Sequence, residues 1–245
     1  MIDHNHPSFK PPSENRTLWR YMDLTKLLSL LETKHLYFPR ADKFEDQFEG
    51  ELTTAEVNIL RQHEDEGTQP SGHANGMIKL SAMLKRSMFI SCWFASEHES
   101  AAMWKLYINS PEGIAIRTDY KSLTGVLEHS PITVRTSMVN YIDYDREVFP
   151  NTNTFSRFIH KRLSFSHENE FRAVIWSLEE VNSKLIEANS ESVSLEIDPQ
   201  ELIKAVHVSP KAPDWYGDLI EKIMIRYGLT CTVERSKLYK RPSFI

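Results

Sequence analysis

The stretch Ser87-Met-Phe-Ile-Ser-Cys-Trp-Phe94 is the strongest strand signal in the sequence, because hydrophobic and aromatic residues fill it almost completely. Directly after it, Ser96-Glu-His-Glu99 has the pattern of a capping box, with Ser96 as N-cap and Glu99 three residues later. The helix that begins there is predicted to run to about Ile108. A strand leading into a capped helix is therefore the centre of the fold prediction.

Strand and helix signals also alternate at both ends of the chain. The first 40 residues predict a strand at Thr17–Tyr21, an N-cap at Asp23, a buried helical stripe of Leu24, Leu27, Leu28 and Leu31, and a strand at His35–Phe38. The last 40 residues predict a strand at Ala205–Val208, a helix at Asp214–Arg226 and a strand at Leu229–Arg235. Both ends therefore read as strand–helix–strand.

The middle of the chain carries weaker signals. Thr53 or Thr54 is predicted to cap a helix to about Glu64, and the polar residues 63–76 are predicted to form a mobile surface loop. Further segments predict helices over about residues 77–85 and 155–165, and strands at residues 113–118, within 134–144, at 170–176 and at 193–197.

These elements indicate an α+β fold, a single mixed α/β domain with a central, mostly antiparallel sheet. We assign residues 17–245 to that domain. Residues 1–16 are polar and contain three prolines, so they are predicted to form a flexible N-terminal arm.

Composition excludes several classes of protein. The 245 residues carry 29 basic and 34 acidic side chains, a formal charge of −5, which does not fit a broadly basic nucleic-acid platform. Eight glycines are about half the usual share, and neither G-x-G-x-x-G nor G-x-x-x-x-G-K-[ST] occurs. A glycine-rich phosphate loop is therefore not expected.

The sequence also predicts a location. It has two cysteines, too few for a disulfide framework, and its start lacks the basic and apolar regions of a secretory signal. Its longest apolar stretch, residues 88–95, is far shorter than the roughly 20 residues of a membrane helix. We expect a cytoplasmic protein that does not enter a membrane, and the oligomeric state stays open.

The clearest polar motif lies in Lys161–Arg172. If residues 168–172 are extended, Glu168, Glu170 and Arg172 share one face of the strand. Two carboxylates so close together need a cation, and Arg172 or Lys161 is a candidate for it. The pair suits acid–base work or the stabilisation of a cationic intermediate. The alternative is a solvent-facing strand edge whose ion pairs contribute little.

Two residues on apolar strands allow two interpretations each. Arg20, if buried, needs an anionic partner, which is either a structural carboxylate or a ligand phosphate. Ser91 is either a functional hydroxyl or a small core residue that bonds to the backbone.

Other polar and aromatic residues favour structural roles. Asp46 and Glu49 are interpreted as a cap and a surface charge, or as partners of Arg40 or Arg20. Met103, Trp104 and Tyr107 have the spacing of core residues on a helix. The histidines show no H-x-x-x-H pairing, so no metal site is expected, and Cys92 is interpreted as a small buried hydrophobic residue.

These motifs together resemble a widespread bacterial domain family of unknown function. That family is recognised by an Arg-Tyr strand, an F-x-D-x-F-E-G loop, a Ser-Cys strand with a Met-Trp-x-x-Tyr helix, and a late E-x-E-x-R strand. In this chain they are Arg20-Tyr21, Phe44–Gly50, Ser91-Cys92 with Met103-Trp104 and Tyr107, and Glu168–Arg172. Members usually have Asn-Asp-Pro where this chain has residues 45–47, so the geometry of the loop is expected to matter more than each residue.

The order of Arg20, Ser91 and the late E-x-E also resembles the ADP-ribosyltransferase pattern. The resemblance implies an ADP-ribosyltransferase-like fold and NAD as the substrate, with an unknown macromolecular acceptor. It implies that Arg20 holds the NAD pyrophosphate and Ser91 orients the key glutamate. Glu170 would stabilise the oxocarbenium ion, and Glu168 would orient or deprotonate the acceptor.

The same resemblance implies further binding residues. Trp93 or Tyr107 would stack on nicotinamide, and Tyr21 and Arg172 are also counted as candidate cofactor-binding residues. Such an enzyme would act in a bacterial toxin or phage-defence setting, on a small nucleotide.

Two other classes remain open. A metal-dependent nuclease would use Asp46, Glu49, Glu168 and Glu170 as Mg²⁺ ligands with Lys161 nearby, but the sequence lacks the D…E-x-K spacing of a common nuclease core. A non-enzymatic binding module would use the charged motif as an interface.

Overall fold

A computed structural model describes residues 1–150, 153–179 and 181–241. The chain divides into two compact units, each assembled from three segments. The first unit contains Met1–Pro11, Tyr37–Cys92 and Pro131–Val193, and the second contains Pro12–Leu36, Trp93–Ser130 and the residues from Ser194 on. The arm of residues 1–16 and the domain of residues 17–245 stay predictions.

The helices and strands are numbered in chain order. The strands are β1 (Thr17–Asp23), β2 (His35–Pro39), β3 (Met88–Ala95), β4 (Gly113–Asp119), β5 (Arg135–Met138), β6 (Asn140–Ile142), β7 (His160–Arg162), β8 (Glu170–Trp176), β9 (Ser192–Glu196), β10 (Ala205–Val208) and β11 (Thr232–Arg235). The helices are α1 (Leu24–Thr33), α2 (Thr54–Asp65), α3 (His73–Lys85), α4 (Ala101–Tyr107), α5 (Tyr120–Glu128), α6 (Ser156–Ile159), α7 (Pro199–Leu202) and α8 (Asp214–Arg226). Short 3-10 helices lie at Ala41–Lys43, Leu163–Glu168 and Asn182–Lys184.

In the second unit the strand order is β11-β10-β4-β1-β3, with β3 contributing its last three residues. β1 is antiparallel to β3 and β4, β10 is antiparallel to β4, and β10 and β11 are parallel. The side chains Trp19, Tyr21, Met103, Trp104 and Ala115 form an apolar cluster of this unit. The core role predicted for Met103 and Trp104 is confirmed, but it is wrong for Tyr107, which is exposed at the end of α4.

The helix α1 follows its sequence signals with one difference. Asp23 caps it by accepting a hydrogen bond from the backbone N–H of Lys26 at 2.8 Å. Its buried residues are Leu27, Leu30 and Leu31, whereas Leu24 and Leu28 of the predicted stripe are only half-buried.

In the first unit the strand order is β3-β8-β5, with β3 contributing its first five residues. β5 and β8 are antiparallel, and β6 and β7 form a separate parallel pair. An apolar core cluster joins Met88 and Ile90 of β3 to Phe158 of α6 and Val174 of β8. This cluster packs β8 against β3 and α6.

For helices α2 and α3, the predicted N-cap is confirmed and the predicted extent of the loop between them is wrong. Thr53 and Glu56 form a complete capping box at the start of α2, with reciprocal hydrogen bonds of 3.0 Å. The predicted loop of residues 63–76 is shorter than expected, because α3 begins at His73. The Glu64 carboxylate accepts a hydrogen bond from the first turn of α3, at the N–H of Ala74.

The predicted N-cap Ser96 is wrong. Helix α4 begins after Ser100, whose hydroxyl accepts a hydrogen bond from the N–H of Met103. Ser96 instead accepts from His98 two residues later, and its own N–H donates to the carbonyl of Thr17. The Ser96 side chain therefore closes a short turn, and Ser100 caps the helix four residues later.

The segment 155–172 differs most from its prediction. Helix α6 ends at Ile159, and the chain continues through β7 and a 3-10 helix that ends at Glu168. Asn169 then has a left-handed conformation with φ 36°, and β8 begins at Glu170. Glu168 and Glu170 are therefore not two residues of one extended strand.

The first residues of the chain belong to the first unit. Ile2 forms a bridge with Val134, and Ile2 and Phe9 are both buried. Phe9 packs against Phe155 in the core cluster.

The fold class is confirmed at the level of a mixed α/β protein. The antiparallel character holds for the pairs β1–β3, β1–β4, β4–β10 and β5–β8, but β10–β11 and β6–β7 are parallel. Within the part of the chain that the structure describes, each helix is too short or too polar to span a membrane.

Candidate active site

Five charged side chains lie buried together in the first unit, and we call them the ionic cluster. They are Glu49, Lys161, Glu168, Glu170 and Arg172. Their side-chain exposure runs from 0% for Arg172 to 11% for Glu168. Three carboxylates and two cations sum to −1 when all are ionised. Charges so far from water are tolerated only when they are paired and hydrogen-bonded.

The guanidinium of Arg172 is the centre of the ionic cluster. Its Nε and Nη2 donate to Oε2 of Glu170 at 3.1 and 2.7 Å, and its Nη1 and Nη2 donate to the two carboxylate oxygens of Glu49 at 2.5 and 2.9 Å. Nη1 also donates to the carbonyl of Phe158 at 2.8 Å. A guanidinium has five N–H groups, and these bonds use all five. Arg172 therefore has no donor left for the cofactor that we predicted it to bind.

Lys161 lies between the two predicted catalytic carboxylates. Its Nζ is 2.5 Å from Oε2 of Glu168 and 3.7 Å from Oε2 of Glu170, and it lies 4.7 Å from the centre of the Phe165 ring. Burial disfavours its charge, but Glu170 and Glu168 outweigh burial and raise the pKa of Lys161. The structure thus brings Glu168, Glu170 and Arg172 together, with both expected cations in place.

The two carboxylates that share Arg172 differ in their acidity. Burial opposes the ionisation of Glu170, but the charges of Arg172 and Lys161 outweigh it and hold the pKa of Glu170 below its ordinary value. Burial also acts on Glu49, where Arg172 offsets only part of it, so the pKa of Glu49 is raised. Glu170 is therefore the carboxylate that keeps its negative charge, and Glu49 is the one that takes up a proton more readily.

Cys92, and not Ser91, faces Glu170. The Cys92 thiol hydrogen-bonds the Glu170 carboxylate, and burial together with that negative charge raises the pKa of Cys92 well above its usual value. The thiol therefore stays neutral, as a buried hydrophobic residue would. Successive residues of a strand point to opposite faces, so Ser91 points away from the face that carries Cys92 and Glu170. Ser91 is fully buried in the core.

The loop Phe44–Gly50 is tied to the same region by two ion pairs. Asp46 lies 2.8 Å from Nη2 of Arg162, and Glu49 forms the pair with Arg172 already described. The predicted partner Arg40 pairs instead with Asp42 at 2.7 Å. Glu49 is not a surface charge, and the loop is ordered by cations that lie more than a hundred residues later.

Two residues that contribute to the site, Tyr141 and Arg162, were not predicted from the sequence. The Tyr141 hydroxyl accepts a hydrogen bond from the backbone N–H of Glu170 at 2.8 Å, which fixes the start of β8. Burial and the nearby Glu170 charge raise the pKa of Tyr141. Arg162 packs between the rings of Phe48 and Phe165, with its Cζ 4.1 and 5.1 Å from their centres. Phe165 is three residues from Arg162, but Phe48 and Tyr141 are far along the chain from the residues that they contact, so no local sequence pattern indicates those two contacts.

The other predicted residues lie in the second unit. The Arg20 guanidinium carbon is 5.5 Å from the centre of the Trp93 ring, and Trp93 is only 1% exposed. Tyr21 is buried, and its hydroxyl accepts a hydrogen bond from the N–H of Ser100 at 2.8 Å. Tyr107, the last residue of α4, is 49% exposed. Arg20 and Trp93 are thus brought together, while Tyr21 is part of the core of its unit.

The acidic residues that a metal-dependent nuclease would use as ligands pair with cationic side chains in this structure. Asp46 and Glu49 pair with Arg162 and Arg172, and Glu168 pairs with Lys161. Among residues 1–150, 153–179 and 181–241, no group of three or more His, Cys, Asp or Glu side chains could hold a metal ion.

Comparison with known proteins finds similarity at the level of structure and none at the level of sequence. No protein-family model matches the sequence, and no curated protein matches it. Among solved structures, the chain is similar to DarT of Thermus sp. 2.9 in complex with carba-NAD⁺, with 11% sequence identity and a TM-score of 0.38. The match covers 92% of this chain and 98% of the DarT chain. A likeness with so low a TM-score carries no argument about the site.

Proposed function

We propose that this chain is an ADP-ribosyltransferase-like enzyme that binds NAD and transfers ADP-ribose to an acceptor. The observation that carries the proposal is Glu170, a buried carboxylate whose negative charge is maintained by Arg172 and Lys161. A fixed anion in a site of low polarity stabilises positive charge far better than the same anion in water. The proposed reaction develops its positive charge only near the transition state.

The chemical step needs two carboxylates with different roles. The bond between C1′ of the ribose and the nicotinamide nitrogen breaks, and its electron pair neutralises the pyridinium. Glu170 stabilises the oxocarbenium ion left on the ribose. The acceptor then bonds to C1′ and gives its proton to Glu168, which lies at the more exposed end of the ionic cluster.

The roles of the residues in the second unit rest on the sequence resemblance. There Arg20 is proposed to bind the pyrophosphate, and Trp93 or Tyr107 to stack on nicotinamide. The orienting role that the resemblance gave to Ser91 is not proposed, because Cys92 is the residue of β3 that meets Glu170. The toxin or phage-defence setting, the identity of the acceptor and the cytoplasmic location stay predictions.

A non-enzymatic binding module is the second candidate. It is favoured by the completeness of the pairing, since all five donors of Arg172 already have acceptors inside the first unit. In that case the ionic cluster would only hold the loop Phe44–Gly50 against β7 and β8.

Release of nicotinamide from NAD separates the two candidates. The parent protein is expected to release nicotinamide, and Glu170→Gln to lower kcat by about 100-fold or more with little change in KM, since the interaction is made only in the transition state. Glu179→Gln is the matched control, because Glu179 pairs with a different buried arginine, Arg135, in the same unit. It should keep the parental rate. Absence of release from the folded parent would favour the binding module.

A further inference from the structure

We propose that Glu49 is a positioning residue that acts on Glu170 through Arg172, so that the loop Phe44–Gly50 sets the orientation and charge of the carboxylate proposed to be catalytic. The catalytic consequence rests on the proposed function. The electrostatic link between the two carboxylates does not, and it can be measured in the protein without a substrate.

The hydrogen bonds of Arg172 fix the orientation of its guanidinium. Its two outer N–H groups form a bidentate pair with Glu49, and the remaining edge meets Oε2 of Glu170 twice. Bidentate pairs of this kind fix the plane of the guanidinium as well as its distance. Because Arg172 has no exposed surface, water cannot replace a lost carboxylate partner. The orientation of the guanidinium that Glu170 meets is therefore set by Glu49.

The backbone of the loop Phe44–Gly50 places Glu49 beside Arg172. Gly50 follows it with φ +71°, and a Cβ at Gly50 would lie 2.6 Å from Cε1 of Phe158. Phe158 is the residue whose carbonyl accepts the fifth hydrogen bond of Arg172. The close approach of Gly50 thus places the carboxylate of Glu49 and the carbonyl of Phe158 on the same guanidinium.

The charges around Glu170 define the expected direction. The groups that face it are Arg172 on the same strand, Lys161 on β7, Cys92 on β3, Tyr141 on β6, and Glu168 and Glu49. Glu49 takes up its proton at a higher pH than Glu170 does, so Glu170 is still charged while Glu49 titrates. A nearby anion disfavours ionisation, so removing the Glu170 charge makes Glu49 more acidic.

Carbon-detected NMR of the side-chain carboxyls tests the link. In protein labelled with ¹³C at Glu Cδ, the resonance of Glu49 is assigned by its loss in Glu49→Gln. Glu170→Gln is expected to move the titration of Glu49 to lower pH by about half a unit or more. Asp46→Asn is the matched control, because Asp46 lies in the same loop but pairs with Arg162, and it should leave the titration of Glu49 in place. An unchanged Glu49 titration in Glu170→Gln overturns the inference.

A second variant guards against a failure to fold. Glu170→Asp keeps a charge beside Arg172, so it should move the Glu49 titration by less than Glu170→Gln does. In the enzyme assay, Glu49→Gln should lower kcat and leave KM unchanged, because it releases the guanidinium that Glu170 meets, and Glu49→Asp should restore part of the loss. If the NMR shift occurs while the parent releases no nicotinamide, the link between the two carboxylates stands and the proposed function fails. If nicotinamide is released but neither Glu170 variant moves the Glu49 titration, the link fails and the function stands.

Discussion

At the scale of single residues, Arg172 determines how the site is built. Its five N–H groups meet two carboxylates and a carbonyl without any exposed surface. The E-x-E-x-R motif correctly predicted that Glu168, Glu170 and Arg172 lie close together. It was not able to indicate Glu49, which lies 123 residues before Arg172 in the chain, because a single sequence gives no measure of contacts between distant residues.

Replacing Arg172 tests how much this residue contributes to the stability of the fold. Arg172→Met should lower the free energy of unfolding by about 3–5 kcal/mol, because it leaves the buried Glu49 without a cation and Glu170 with Lys161 alone. Arg235→Met is the control, since Arg235 also meets two carboxylates, Asp214 and Asp218, but its side chain is 37% exposed. That exposed pair should contribute within about 1 kcal/mol. Equal losses in urea unfolding would show that burial does not decide how much these ion pairs contribute.

His160 makes stability depend on pH. Burial lowers the pKa of this imidazole, and its Nδ1 donates to the carbonyl of Ser156 at 2.7 Å. The unfolded chain therefore binds a proton more readily than the folded chain, so stability falls as pH drops below the ordinary histidine pKa of about 6.5. Melting curves between about pH 7 and pH 5 should show a smaller loss for His160→Gln than for the parent.

An exposed histidine provides the comparison for that experiment. His98 lies on the surface, and His98→Gln should lose stability with falling pH as steeply as the parent does. The interpretation would be wrong if His160→Gln retained the full slope.

At the scale of elements, the loop Phe44–Gly50 and the segment Lys161–Arg172 form one assembly in the first unit. Asp46 and Glu49 bind Arg162 and Arg172, which accounts for a loop motif that the sequence left as a cap or a surface charge. Local patterns predicted α2 well because Thr53 and Glu56 are neighbours in sequence. They failed at Ser96, because the hydroxyl of that serine closes a turn with the N–H of His98 and the helix begins only after Ser100.

Two glycines with the same backbone conformation test how tightly this loop packs. Gly50 and Gly67 have φ +71° and +72°, but a Cβ would meet Phe158 at 2.6 Å only at Gly50, with nothing within 4 Å at Gly67. Gly67→Ala should cost about 1 kcal/mol, the penalty of a left-handed residue with a side chain. Gly50→Ala should cost that amount and a further 1–3 kcal/mol or so for the overlap with the core. Equal unfolding free energies of the two variants would show that the loop around Gly50 shifts to accommodate the added methyl group.

At the scale of the whole molecule, the alternation of strands and helices was predictable, but the division into two units was not. Each unit is assembled from three segments, and three of the five boundaries fall within strands, namely β2, β3 and β9. Linkers are found in sequence by polar or glycine-rich composition, and a hydrophobic strand such as β3 offers no such signal. The fold class followed from periodicity, whereas the discontinuous units depend on pairing between distant strands.

Binding of NAD should stabilise the whole chain. A ligand that binds only the folded state adds about 2.7 kcal/mol at a concentration one hundred times its Kd. The melting temperature should therefore rise with NAD concentration, in the parent and in Glu170→Gln alike, because Glu170 acts on the transition state. A shift that vanished in Glu170→Gln would assign this residue to ground-state binding instead.

The most direct measurement is the response of the ionic cluster to NAD itself. In protein labelled with ¹³C at Glu Cδ, titration with NAD should move the resonances of Glu168 and Glu170 with a common saturation curve, while that of Glu179, which pairs with Arg135, stays in place. A titration to millimolar NAD that moves neither Glu168 nor Glu170 would contradict the account.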